Sequence, residues 1–145
     1  MSTDPSIKTG SCLCGAVRFE IHGGLKQVVG CHCSMCRKQT GHFLASATAW
    51  LDEFTFTDET GLQWYRSSDH SRRGFCNKCG SMLFFATDGD GRISISAGSL
   101  DKPTGLAMAA HIFVDDRGDY YTIDDGLEQF AQGGDNVPMP PRRGG

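Results

Sequence analysis

No stretch of this chain approaches the roughly 20 consecutive apolar residues that a membrane-spanning helix needs, and no repeat recurs at a fixed period. Positive charge is not in excess either. Fourteen Lys and Arg stand against 17 Asp and Glu, for a formal charge of −3. A general nucleic-acid binder carries a basic face and a high pI, so neither nucleic acid nor a membrane is an expected partner. The opening residues, Met1 to Lys8, lack the apolar core of a secretory signal. A cytoplasmic location is the expectation. Hydrophobic residues make up 39% and charged residues 21% of the 145, which suits one ordinary globular domain with a modest core.

What the chain has in quantity is cysteine. Seven is a high count for a cytoplasmic protein. A disulfide framework calls for an oxidising compartment and usually an even number. An odd number without an export signal points instead to metal-binding thiolates.

The pattern between the cysteines is one of short extended runs. Val17, Phe19 and Ile21 alternate with Arg18, Glu20 and His22, the period of a strand with one buried face. Further short extended runs are expected at 54–56, 62–65, 82–86, 93–95, 110–114 and 120–123. Residues 43–50 read as strand or buried helix, with alternation favouring strand, and Val28 and Val29 lead into the cysteine cluster at 31–36. Asp88-Gly89-Asp90-Gly91 is a strong turn signal. Residues 66–74 are polar and basic and read as a loop. The best helix candidate is short, at 34–41. Many short strands separated by turns predict an all-β domain of antiparallel strands over residues 1–131. Residues 132–145, rich in Gly, Pro and Arg, predict an irregular or mobile tail.

Four cysteine features carry the chemistry: Cys12-x-Cys14, Cys31-x-Cys33, its extension to Cys36, and Cys76-x-x-Cys79 followed by Gly80. On a strand, residues i and i+2 share a face, so a C-x-C pair can reach one ion. A C-x-x-C turn does the same. Two such pairs supply the four thiolates of a closed tetrahedral site, and three ligands with one open position resemble a catalytic zinc. One division joins Cys12 and Cys14 to Cys76 and Cys79, leaving Cys31, Cys33 and Cys36 as the open set. The other joins Cys33 and Cys36 to Cys76 and Cys79. Spacing leaves both standing. Soft sulfur donors select zinc or iron–sulfur clusters, and zinc is expected.

These motifs look familiar in combination. Gly10-Ser11-Cys12-Leu13-Cys14-Gly15-Ala16-Val17-Arg18-Phe19, Cys31-His32-Cys33-Ser34-Met35-Cys36-Arg37-Lys38-Gln39-Thr40-Gly41 and Arg73-Gly74-Phe75-Cys76-Asn77-Lys78-Cys79-Gly80-Ser81 resemble the motifs of the glutathione-dependent formaldehyde-activating enzyme (GFA) family, also called the centromere protein V-like family. His111-Ile112-Phe113-Val114, with Asp125-Gly126-Leu127, resembles its closing segment, although Tyr120-Tyr121 stands where the family often has Trp. The resemblance covers roughly residues 9–130. It implies a β-tent fold and two zinc ions: a structural one on Cys12, Cys14, Cys76 and Cys79, and a catalytic one on Cys31, Cys33 and Cys36. It further implies a carbon–sulfur lyase of the S-(hydroxymethyl)glutathione synthase kind, acting on glutathione adducts of formaldehyde or another small electrophile. The competing class is a zinc-stabilised binding module without catalysis.

Glutathione carries two carboxylates, and Arg suits bidentate carboxylate binding. Arg37, Arg72 and Arg73 are the candidate substrate contacts, with Lys38 and Arg66 nearby in sequence. His42, His70 and His111 are candidate bases by residue type alone. His32, lying between two ligands, is expected to face away from the metal.

Overall fold

The computed structural model describes residues 7–143. Residues 1–6, part of the segment read against a secretory signal, and the last two residues of the tail lie outside the described residues. In chain order the elements are β1 Lys8–Ser11, β2 Arg18–Ile21, β3 Val28–Cys31, α1 Ser34–Thr40, β4 Leu44–Trp50, β5 Phe54–Asp58, β6 Leu62–Arg66, β7 Ser71–Cys76, β8 Met82–Thr87, β9 Arg92–Ser96, β10 Met108–Ile112 and β11 Glu128–Gln129. Among the described residues these form a three-stranded sheet, β1-β2-β5, and an eight-stranded sheet, β11-β10-β3-β4-β9-β8-β7-β6.

The class is all-β, as the alternation predicts, but the strands are not all antiparallel. β10 pairs in parallel with both β3 and β11. The supposed loop at 66–74 is also corrected. Ser71–Cys76 is a strand held between β6 and β8, with only the short stretch between Arg66 and Ser71 outside strands. Its polar sequence hid it because β7 buries single residues rather than an apolar stripe. The short extended piece expected at 120–123 is not a strand: Asp119 and Tyr120 form a turn, and residues 121–123 are irregular.

The large sheet has two chemically different faces because successive strand side chains point opposite ways. One face presents Ala47, Ala49, Phe84, Ile93 and Ile95, all buried against Phe19, Ile21 and Phe54 of the small sheet. Phe84 is central: its ring lies 5.3 Å from Phe19, 5.6 Å from Phe54 and 5.4 Å from Phe56, edge to face in each case. That geometry is the favoured one for aromatic pairs. The other face presents Ser46, Thr48, Ser94, Phe85 and Thr87, which line an open cleft. Thr48 and Ser94 are register partners and share a hydrogen bond of 2.9 Å.

Residues 132–143 form no strand or helix and are docked on the domain. Asp135 pairs with Lys26 at 2.9 Å, the Trp50 Nε1–H donates to the Pro140 carbonyl at 2.8 Å, and Arg142 stacks over Trp50. No helix among the described residues is long and apolar enough to cross a membrane.

Candidate metal centres

All seven cysteines are free, and their sulfurs gather into two groups. The Sγ atoms of Cys12, Cys14, Cys76 and Cys79 lie within 4.8 Å of one another, as do those of Cys31, Cys33 and Cys36. Of the two divisions that spacing allowed, the fold brings together the first. Each group could hold a metal ion.

The four-sulfur group joins two turns. β1 ends at Ser11, so Cys12 and Cys14 meet through a tight turn and not, as expected, along a strand; their sulfurs are 3.7 Å apart. β7 ends at Cys76, and the following turn returns Cys79 to the same point. Backbone N–H groups of Val17 and Lys78 donate to the sulfurs of Cys12 and Cys76 at 3.3 and 3.4 Å. Such donors favour thiolate. Bonds from the Ser81 hydroxyl, and then its backbone N–H, bring Cys79 down to about 5. Cys14 is pushed up to about 11: an Ala16 backbone contact pulls it down, but desolvation and the neighbouring thiols outweigh it. Gly61 is required here, since a Cβ at that position would sit 2.7 Å from the Cys76 sulfur.

The three-sulfur group sits where β3 passes into α1. Cys31 ends the strand, and Cys33 is the N-cap of α1, its sulfur accepting from the Cys36 N–H at 3.4 Å. One helical turn thus returns Cys36 to Cys33. Crowding makes the three thiols titrate as a set. Cys33 is held far below the ordinary thiol range, first by Cys31 and then by Cys36, while Cys31 is pushed far above it by Cys33 and then Cys36. Three thiolates this close repel one another, and a bound dication would remove that conflict.

These three sulfurs also line the cleft. It measures about 390 Å³ and reaches along the hydroxyl face of β4 and β9, with Phe85 and Phe113 in its walls and the Lys26–Asp135 pair lining it too. Small-molecule sites run from about 300 to 1,000 Å³. None of the four cysteines of the other group lines it.

Of the basic candidates, the fold brings only Arg73 to the cleft. Its side chain is 4% exposed. Nη1 donates to Cys36 Sγ at 3.4 Å and to Gln39 Oε1 at 2.8 Å, and Nη2 to Cys33 Sγ at 3.9 Å. Arg72 points the other way because it neighbours Arg73 on β7, and it stacks over Trp64 at 4.1 Å. Arg37 and Lys38 lie on α1 outside the cleft lining, and Arg66 is engaged with Asp88. His42 and His70 are exposed.

His32 is fully buried and faces a polar array that the sequence alone did not reveal. Tyr121, His32, His111 and Asp125 form a chain with contacts of 2.6, 2.9 and 2.7 Å. The ionised Asp125 can only accept, so His111 donates through Nε2 and accepts at Nδ1. His32 then donates through Nε2 and accepts the Tyr121 hydroxyl at Nδ1. Every member is then satisfied, in keeping with a neutral His32, which burial and then His111 push down to about 4. Gly30 makes room for the array, since a Cβ there would lie 2.9 Å from His111 Nδ1. His111→Leu leaves the His32 Nε2–H buried without an acceptor. Urea denaturation is expected to show a loss of about 1–3 kcal/mol, whereas Asp125→Asn, which keeps an acceptor oxygen, should lose under about 1 kcal/mol. Equal losses would mean that the chain of donors does not order this region.

The family model described as glutathione-dependent formaldehyde-activating enzyme matches residues 7–116. The chain belongs to the GFA family. A Schizosaccharomyces pombe protein described as an uncharacterized lyase is 28% identical over 124 residues, covering 84% of this chain and 89% of its own. A crystal structure of a Rhodobacter sphaeroides protein superposes with a TM-score of 0.55 at 23% identity, covering 69% of this chain and 97% of that one. That likeness concerns the fold. Family and relative together support a GFA-type lyase.

Proposed function

We propose that this GFA-family chain is a cytoplasmic, zinc-dependent carbon–sulfur lyase. Its substrate class is the adduct of glutathione, or a related small thiol, with formaldehyde or another small electrophile. The observation that carries the reading is the unequal placement of the two sulfur clusters: all three cysteines of one group line the cleft, whereas of the four-cysteine group only Cys12, itself buried, borders a cavity, a separate one beside Ser81 and Leu100.

In this reading Cys12, Cys14, Cys76 and Cys79 hold a structural zinc, and Cys31, Cys33 and Cys36 hold a catalytic one. The donor chemistry fits, since zinc takes four thiolates in closed sites and three protein ligands in open ones. Zinc bound at the open site would supply positive charge and a coordination position that lower the pKa of an incoming thiol. The chain's own residues do the rest. Cys33 and Cys36 are fixed by one helical turn and by Arg73. Ser46, Thr48 and Ser94 offer hydroxyls to the polar body of a peptide-like thiol. Phe85 and Phe113 give the cleft an apolar wall against which the rest of a small ligand can pack.

Metal analysis of the purified protein should give two zinc ions per chain, and mild chelation should remove one well before the other. The first to leave should be that of the three-cysteine site, which competitors can reach. Protein expressed with ample zinc that contains none would overturn the metal reading.

A further inference from the structure

Arg73 is an unusual residue to bury. A guanidinium taken out of water is costly unless its charge is paired. Among the described residues no carboxylate lies within ion-pairing distance of it, and its Nε has no hydrogen-bond partner. Its guanidinium lies 5.2 Å from the centre of the Phe85 ring, and the only groups that accept hydrogen bonds from it among the described residues are Gln39 and the sulfurs of Cys33 and Cys36. If those sulfurs were thiols, Arg73 would be a buried cation without an anion. Three thiolates around a dication carry one net negative charge, and Arg73 cancels it.

We propose that Arg73 is the positioning residue of the three-cysteine metal site: it neutralises the metal–thiolate unit and orients two of its three sulfurs. The inference rests on the metal reading above. It does not extend to the four-cysteine site, where the sulfurs take hydrogen bonds from backbone N–H groups and the Ser81 hydroxyl, and where Cys14 is exposed to solvent. The three-cysteine site has the guanidinium in addition to the one backbone donor, the Cys36 N–H on Cys33.

The contacts also have an electronic effect. A sulfur that accepts a hydrogen bond gives less charge to its metal. Three thiolates otherwise leave a metal weakly electrophilic, so donation from Arg73 to Cys33 and Cys36 counters that weakness on two ligands of three. Gln39, one turn along α1 from Cys36, accepts from the same Nη1 and fixes the fork to the helix. Groups that orient metal ligands typically contribute about 10- to 100-fold in metal affinity.

The test is cobalt(II) titration of the full chain, followed by the thiolate-to-cobalt charge-transfer band and by competition with a chelator. Wild type should bind two equivalents. Arg73→Met should keep the first equivalent with unchanged affinity and bind the second about 10- to 100-fold more weakly. At saturating cobalt its charge-transfer band should move to lower energy, because Cys33 and Cys36 donate more strongly once the guanidinium bonds are gone. Arg73→Lys restores the charge without the fork and should fall between the two. An Arg73→Met protein with the wild-type second affinity and an unmoved band would overturn the role of Arg73. Wild type that takes up only one equivalent would instead overturn the metal reading on which it rests. If Arg73→Met fails to bind even the first equivalent, the decision passes to Arg73→Lys, where an unchanged second affinity and band position would likewise overturn the proposal.

Discussion

Cys76→Ser is expected to yield insoluble or unfolded protein, while Cys33→Ser is expected to yield a folded chain without activity. Cys76 is completely buried at the end of β7, and its sulfur lies 3.8 Å from that of Cys14. A metal at that point would tie the end of β7 in the large sheet to the turn between β1 and β2 in the small one. The binding free energy of a structural zinc site, roughly 10–16 kcal/mol, is folding free energy. Whole domains are stable by only about 5–15 kcal/mol, so removing one of four ligands threatens the entire margin. Cys33 differs in kind. It lies in the cleft and caps a seven-residue helix. Serine is itself a preferred N-cap, so the substitution keeps the start of α1 while weakening the metal site. Circular dichroism, zinc content and lyase assays on both variants make the comparison. The same loss of folding in both would mean that the structural and catalytic labels are misassigned.

The second large effect concerns the ligand's sulfur. Glutathione should bind the zinc-loaded protein at least about 100-fold more tightly than S-methylglutathione. The two differ by one methyl group, and the methylated sulfur cannot become a thiolate. Electrostatic stabilisation by a metal contributes several kcal/mol, and each 1.4 kcal/mol is about tenfold in affinity. Calorimetry can separate this from steric exclusion. Binding through a thiolate releases a proton, so the apparent enthalpy with glutathione should depend on the buffer's ionisation enthalpy, and with S-methylglutathione it should not. Equal affinities would shift recognition to the peptide body of the ligand.

The parts of this architecture that were legible in the sequence are those set by short spacings. Alternation marked β2, β4 and β9, and the C-x-C and C-x-x-C pairs marked the sulfur clusters, because in each case neighbours a few residues apart decide the outcome. What stayed hidden depends on residues far apart. The parallel pairing of β3 with β10 brings Ile112 beside Cys31, and nothing local announces that register. Arg72 and Arg73 look alike in a polar stretch. Only the pairing of β7 with both neighbours reveals that one stacks on Trp64 and the other lies against two sulfurs. Tyr121 and Asp125 were likewise out of reach, since their value comes from His32 and His111 meeting across the parallel strands.

The division of the large sheet into two faces bears on how such a protein can change. Ala47 and Ala49 leave no spare volume against the aromatic cluster, so the inward positions of β4 have few acceptable alternatives. Ser46, Thr48 and Ser94 hang from the same backbone into open space. A mutation at any of them alters what the cleft can grip without disturbing the packing that keeps the strands in place. Selection for a new thiol can therefore act on one set of alternate residues while the other set stays fixed. A single scaffold of this kind can supply many related chemistries at little risk to its own stability.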